Sequence, residues 1–164
     1  MKAVWWIKRD FRVTDNTCLI NALAECGEVV PFFCWERSII KAGDFSDFHL
    51  QAQFQALIGL TESISKRGGY TRIVFGEIIE QFEKLFRIYP FTHLYSHQET
   101  GNLISYKRDV EVGKWCEQHG ITWEESAQNS VLRGGDANRR RSVATHSNLR
   151  ETPPLPSPDR IDCP

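Results

Sequence analysis

The chain has 164 residues, 41% hydrophobic and 25% charged, with a mean hydropathy of −0.39; this suits one globular domain with a real core and excludes wholesale disorder. Twenty Lys and Arg against 21 Asp and Glu leave a net charge of −1, so the basic excess of a free-standing nucleic-acid binder is missing and any DNA affinity of the chain alone should be weak. No apolar run nears the ~18–20 residues of a spanning helix, and the apolar start breaks at Lys8, Arg9 and Asp10, so a cytoplasmic protein without targeting segment or membrane contact is expected.

Residues 3–7 (AVWWI) form a short apolar run of strand formers. Behind it, the polar stretch 14–17 (TDNT) can cap a helix that would bury Leu19, Ala22, Leu23 and Cys26. Residues 29–35 (VVPFFCW) read as a second strand buried on both faces. Pro31 dissents, because proline donates nothing to a ladder, and it argues for a strand start or a bulge there. Phe54, Leu57, Ile58, Thr61 and Ile64 recur at helical spacing, and residues 66–69 (KRGG) end that helix. Strands follow at 71–75 (TRIVF), 92–96 (THLYS) and 121–125 (ITWEE). Between them lie a helix marked by Ile78, Ile79, Phe82, Leu85 and Phe86, stopped before Pro90, and one marked by Ile104, Val112, Trp115 and Cys116, stopped by Gly120.

This βαβαβαβαβ order predicts an α/β fold. It is a Rossmann-like five-stranded parallel sheet with helices on both faces, over residues 1–125. Residues 126–164 read as an irregular, linker-like C-terminal arm, holding Gly134-Gly135, the run Arg139-Arg140-Arg141 and five of the seven prolines. The arginine run is the one candidate nucleic-acid contact. The five cysteines (Cys18, Cys26, Cys34, Cys116 and Cys163) are odd in number, without CxxC or zinc spacing, and read as reduced, small apolar residues.

A parallel sheet gathers its chemistry at the carboxyl ends of its strands. The first strand runs into Lys8, Arg9, Asp10, Phe11 and Arg12. These groups, beside a helix N-terminus, suit an anion; equally, Arg9, Asp10, Arg12 and Asp15 suit a structural ion-pair network that fixes the turn. Neither GxGxxG nor GxxxxGK[ST] is present, so the standard dinucleotide and P-loop cradles are absent. The fourth strand runs into His97, Glu99 and Asn102, which suit either a ligand's polar edge or a polar cap of the next helix. Cys34 and Trp35 would add an apolar wall from the second strand. Nothing points to nucleophilic catalysis or to a metal, so no catalytic residue is assigned.

The stretch 6–16 (WIKRDFRVTDN), with Leu19 and Ala22-Leu23 behind it, resembles the WFRRDLRxxDN-x-AL opening of DNA photolyases and cryptochromes. Val30-Pro31-Phe32-Phe33 resembles that family's second strand. Phe48-His49-Leu50-Gln51, with Phe54 and Leu57, is similar to the start of its long second helix. Residues 97–102 (HQETGN) with Tyr106 and Arg108-Asp109 resemble the HQETGN…Y-x-RD segment of a bacterial branch, and 128–133 (QNSVLR) its QNGVVRRL. The likeness runs colinearly over about residues 3–133. Departures are Ile7 and Lys8 for Phe and Arg of the opening motif, Ser130 for the glycine of QNGVVRRL, Gly134-Gly135 for its final Arg-Leu, and Arg140-Arg141-Ser142-Val143 for a following Arg-Asp-Gly-Trp.

The resemblance implies the N-terminal domain that carries or borders an antenna chromophore, of deazaflavin, FMN/FAD or folate type. Its implied partner is a C-terminal helical FAD domain that this chain lacks. The chain alone is therefore expected to have no deoxyribodipyrimidine photo-lyase activity, because the flavin carries that chemistry. A domain of a light-dependent repair enzyme or blue-light sensor is one reading. A stand-alone α/β nucleotide or small-ligand module without photochemistry is the other.

Overall fold

A computed structural model describes residues 1–43, 46–99 and 103–127. Five strands, β1 (Lys2–Ile7), β2 (Glu28–Glu36), β3 (Arg72–Gly76), β4 (His93–His97) and β5 (Thr122–Ser126), form one sheet in the order β3-β2-β1-β4-β5, every neighbouring pair parallel. Helices α1 (Thr17–Glu25), α2 (Arg37–Ile40), α3 (Asp47–Ser65), α4 (Ile78–Ile88) and α5 (Leu103–Gln118) connect them. The predicted α/β fold is the observed one. The arm lies outside the described residues beyond Ala127, and Ser126 belongs to β5.

Side-chain alternation along β1 builds both layers of core. Ala3, Trp5 and Ile7 join Phe33 and Tyr95 under α1 and α3, meeting Cys18, Ala22, Leu57, Leu60 and Ile64. Val4 and Trp6 join Phe32, Cys34 and Leu94 under α4 and α5, meeting Phe82, Leu85, Val112 and Trp115. A strand buried on both faces needs an unbroken apolar run, and 3–7 is one.

Three sequence expectations need correction. On α1 the buried residues are Cys18 and Ala22, with Cys26 buried at the C-cap just beyond it, whereas Leu23 is 62% exposed. Leu23 sits about 100° of helical rotation past Ala22, and small side chains, not leucine, let α1 approach the sheet. On α3 the buried stripe is Leu57, Leu60 and Ile64, while Phe54 and Ile58 are exposed. Pro31 lies inside β2, at neither its start nor a bulge. It pairs in register with Trp5 of β1, and the β2–β3 ladder begins only at Phe32, so on the β3 side Pro31 still faces no ladder.

The helix ends explain the chain reversals. Two glycines in the left-handed region close α3 and α5: Gly68 at φ 80° and Gly120 at φ 66°. In each case the next amide reaches back five residues, Gly69 to the Ile64 carbonyl and Ile121 to that of Cys116. This is the Schellman closure, which only glycine adopts without strain. At the other end, Asn16 caps α1: its Oδ1 accepts the Leu19 amide at 2.9 Å, and its Nδ2 donates to Asp10 Oδ2 and the Arg12 carbonyl. Asn16 is fully buried. Asn16→Ala should therefore lower stability by about 2–3 kcal/mol, more than an exposed cap. Urea unfolding measures this, and a loss below about 0.5 kcal/mol would show that the cap holds nothing. No helix among the described residues is long and apolar enough to cross a membrane.

Candidate functional site

The sheet order places the site. The chain steps outward from β1 to β2 and β3, then returns to the other side of β1 with β4. The β1–β4 boundary is the switch point, where the flanking loops diverge and leave a crevice. A polar cavity of about 170 Å³ opens there, lined by Lys8, Arg9, Asp10 and Arg12 from the turn after β1 and by His97, Gln98 and Glu99 at the end of β4. A smaller space of about 50 Å³ adjoins it between the ends of β1 and β2, walled by Phe33, Cys34, Trp35, Glu36, Ile39 and Ile40, with Arg108 behind. Lys8, Arg9 and Glu99 border both spaces.

Beneath them runs a buried ionic lattice. Lys8 Nζ donates to Asp109 Oδ2 at 2.9 Å and to Glu125 Oε1 at 3.3 Å. The Arg108 guanidinium holds Asp109 at 2.9 Å, Glu36 at 2.8 Å and Glu99 at 3.5 Å. Arg9 meets Glu99 from the solvent side at 3.0 Å. Lys8 and Arg108 also lie over the Trp6 ring, 4.4 and 4.9 Å from its centre, where the π face favours a cation. Burial pushes the Glu36 carboxyl up to about 7, against the pull of Arg108, and Glu36 Oε2 has no hydrogen-bond partner among the described residues.

At the switch point, His97 and Asp10 form a second buried pair. Nδ1 of His97 lies 2.6 Å from Asp10 Oδ2, an ion-pair contact without aligned hydrogen-bond geometry. His97 Nε2 and Asp10 Oδ1 are buried and have no hydrogen-bond partner among the described residues.

Of the residues singled out in the sequence, Lys8, Arg9, Asp10, Arg12, Cys34, Trp35, His97 and Glu99 come together around the two spaces. Phe11 does not border either space; its ring packs on Phe33 at 5.4 Å, beneath the turn. Asn102 and Arg139, Arg140 and Arg141 lie outside the described residues. The simple pairing of Arg9 and Arg12 with Asp10 and Asp15 holds only for Arg12, which meets Asp15 at 3.9 Å. Arg9 is bound to Glu99, and Asp10 to His97 and Asn16. Cys34 donates weakly to the Gly76 carbonyl at 3.6 Å; burial pushes its thiol, and those of Cys18 and Cys116, up to about 12, which keeps them unreactive.

Sequence reasoning missed Glu36, Arg108 and α2. Arg108 was visible only as part of the Y-x-RD segment; that it returns to the carboxyl end follows from α5 starting where β4 stops.

A family model described as DNA photolyase matches residues 3–147. The chain belongs to the DNA photolyase family. The blue-light photoreceptor PHR2 of Arabidopsis thaliana is 28% identical over 105 residues, 61% of this chain and 24% of that protein. The chloroplastic/mitochondrial cryptochrome DASH of Arabidopsis thaliana is 26% identical over 114 residues, 66% of this chain and 20% of that protein. The archaeal photolyase from Sulfolobus tokodaii, described with two FAD molecules and a novel light-harvesting cofactor, matches at a TM-score of 0.69 and 28% identity, over 76% of this chain and 29% of that chain. The chain thus spans about a quarter of the length of these relatives, in keeping with the family's N-terminal α/β domain.

Proposed function

We propose that residues 1–125 act as the antenna-chromophore-binding or scaffold domain of a photolyase- or cryptochrome-like protein, with 126–164 as the connection to a helical FAD-binding partner. The observation that carries this reading is the crevice at the switch point of a photolyase-family sheet, where a polar cavity adjoins a space walled by Trp35 and Ile39. The lining matches the two halves of a chromophore: aromatic and aliphatic side chains for a planar ring, polar groups for its tail. The inner space of about 50 Å³ falls short of the ~300–1,000 Å³ of a typical ligand cleft. A ring entering there has to displace side chains such as Ile39 and Gln53.

When bound, an antenna supplies absorption in the near-UV or blue. The residues here would hold and orient it, with Arg9 and Glu99 at the mouth. Repair of DNA or sensing of blue light would be the work of the assembled protein.

The test is a titration of FMN, a deazaflavin and a reduced folate into the purified chain, followed by fluorescence quenching. At least one should bind. An Arg9→Ala, Trp35→Ala double variant with unchanged circular dichroism should bind it at least about tenfold more weakly. Equal binding by the two proteins would displace the site from this crevice. Absence of binding by all three would favour the module without photochemistry.

A further inference from the structure

We propose that the open edge of β3 is the pairing surface for a second copy of this chain, the two β3 strands running antiparallel about Val74 so that two sheets join into one. This goes beyond the chromophore reading and does not depend on it. β2 separates β3 from β1, so the pairing leaves the crevice at the β1–β4 boundary open.

The observation is an edge strand without the usual protection. β3 ends the sheet, and no strand among the described residues pairs with its outer side, which leaves main-chain donors and acceptors facing outward. Such edges are normally blunted by a lysine, a proline, a bulge or an inward-pointing charge. β3 reads RIVFG, with Arg72 at its start as its one charge. Ile73 and Phe75 lie in register with Phe33 and Trp35 and so point towards the layer of α1 and α3. They are nevertheless 43% and 57% exposed, because that layer does not fully cover the edge. Val74, between them, turns to the other layer and packs against its core. The opposite edge differs. β5 reads TWEES, and pairing it with itself about its centre would set Glu124 against its own copy.

β3 is complementary to itself when one copy is reversed. A two-fold axis through Val74 sets Ile73 opposite the partner's Phe75, and Phe75 opposite the partner's Ile73. These are β-branched–aromatic pairs of the kind that stabilise neighbouring strands. Charge selects the same direction. Lys66, Arg67 and Arg72 lead into the strand, and Glu77 follows it. Glu77 is exposed and accepts the Ser38 hydroxyl at 2.8 Å, and Arg37, the cation at that end, lies over the Phe75 ring, 5.0 Å from its centre. Reversal brings Arg72 beside the partner's Gly76 and the partner's Glu77, and a glycine there leaves room for the guanidinium. A parallel arrangement would set Arg72 and Glu77 each beside its own equivalent, which is unfavourable. The two-fold contact uses each edge once, so association closes at a dimer. A five-residue strand pair is small beside the ~1,200–2,000 Å² of a standard interface, and a Kd of about 10–100 µM is expected.

The experiment is sedimentation equilibrium of the purified chain from about 5 to 500 µM. The mean mass should rise from 18.9 kDa towards twice that value and stop there. Ile73→Lys and Phe75→Lys, both at exposed side chains, should each weaken association at least about tenfold with circular dichroism unchanged. Arg72→Glu should weaken it about fivefold, and the double variant Arg72→Glu, Glu77→Arg should recover it, because the exchange restores both contacts. A mass of 18.9 kDa throughout overturns the proposal. Association that both lysine variants leave intact also overturns it and places the contact on another face. Growth beyond a dimer, or a double variant as weak as Arg72→Glu alone, overturns the two-fold pairing. If the lysine variants fail to fold, the exchange of Arg72 and Glu77 decides alone.

Discussion

Arg108→Met should lower the unfolding free energy by about 3–5 kcal/mol near neutral pH, because it strips the shared cation from three buried carboxylates. Glu36, Glu99 and Asp109 all contact that guanidinium, and all have side chains less than a tenth exposed. Methionine keeps much of the stem that packs on Trp6, so the loss reports charge more than volume. The deficit should depend on pH in a definite direction. Burial already raises the Glu36 carboxyl from 4.5 to about 7 despite Arg108. A group raised in this way binds more protons folded than unfolded between those values, so the fold gains stability as pH falls from about 7 towards 4.5. Without Arg108 nothing opposes the burial, and Glu36 takes up its proton at higher pH still. The deficit measured by urea unfolding should therefore be largest near pH 8 and shrink near pH 5.5. A loss under about 1 kcal/mol would mean that the lattice is solvated like a surface pair. A loss independent of pH would remove Glu36 from the account.

Phe82→Ala should cost about 3–5 kcal/mol through the cavity it leaves. Phe82 is fully buried and sits at the centre of an aromatic cluster, with ring centres 5.4 Å from Trp6, 5.4 Å from Phe32, 5.5 Å from Trp115 and 6.3 Å from Phe91. Edge-to-face and stacked pairs of this kind add to the burial term. The effect should reach the site, because Trp6 is the platform under Lys8 and Arg108. Differential scanning calorimetry should show a lower melting temperature. Phe82→Leu, which refills most of the volume, should recover more than half of the loss. Equal losses for Ala and Leu would show that ring geometry, rather than filled volume, sets the stability of this layer.

The order of residues alone was enough to set the sheet. Apolar runs such as 3–7 and 29–35 have one stable solution, burial on both faces, and the alternating helices made the neighbours parallel. It also placed the turn after β1 and the end of β4 at one edge, since parallel strands end together; Lys8, Arg9, Asp10 and His97 were legible for that reason. Local pattern did not decide how each helix was rotated. Leu23, Phe54 and Ile58, expected inside, are exposed, and Leu60 is buried instead, because α1 and α3 turn to the face that fits the sheet, and that fit depends on the small Cys18 and Ala22 and on Phe33 across the gap. Nor did it decide the pairing of charges. Arg9 has Asp10 beside it in sequence yet bonds Glu99, and Arg108 gathers Glu36 from 72 residues away. Charge partners are chosen by what the fold brings within about 4 Å after burial has removed water as a competitor. That choice exists only once β1, β2, β4 and α5 have met.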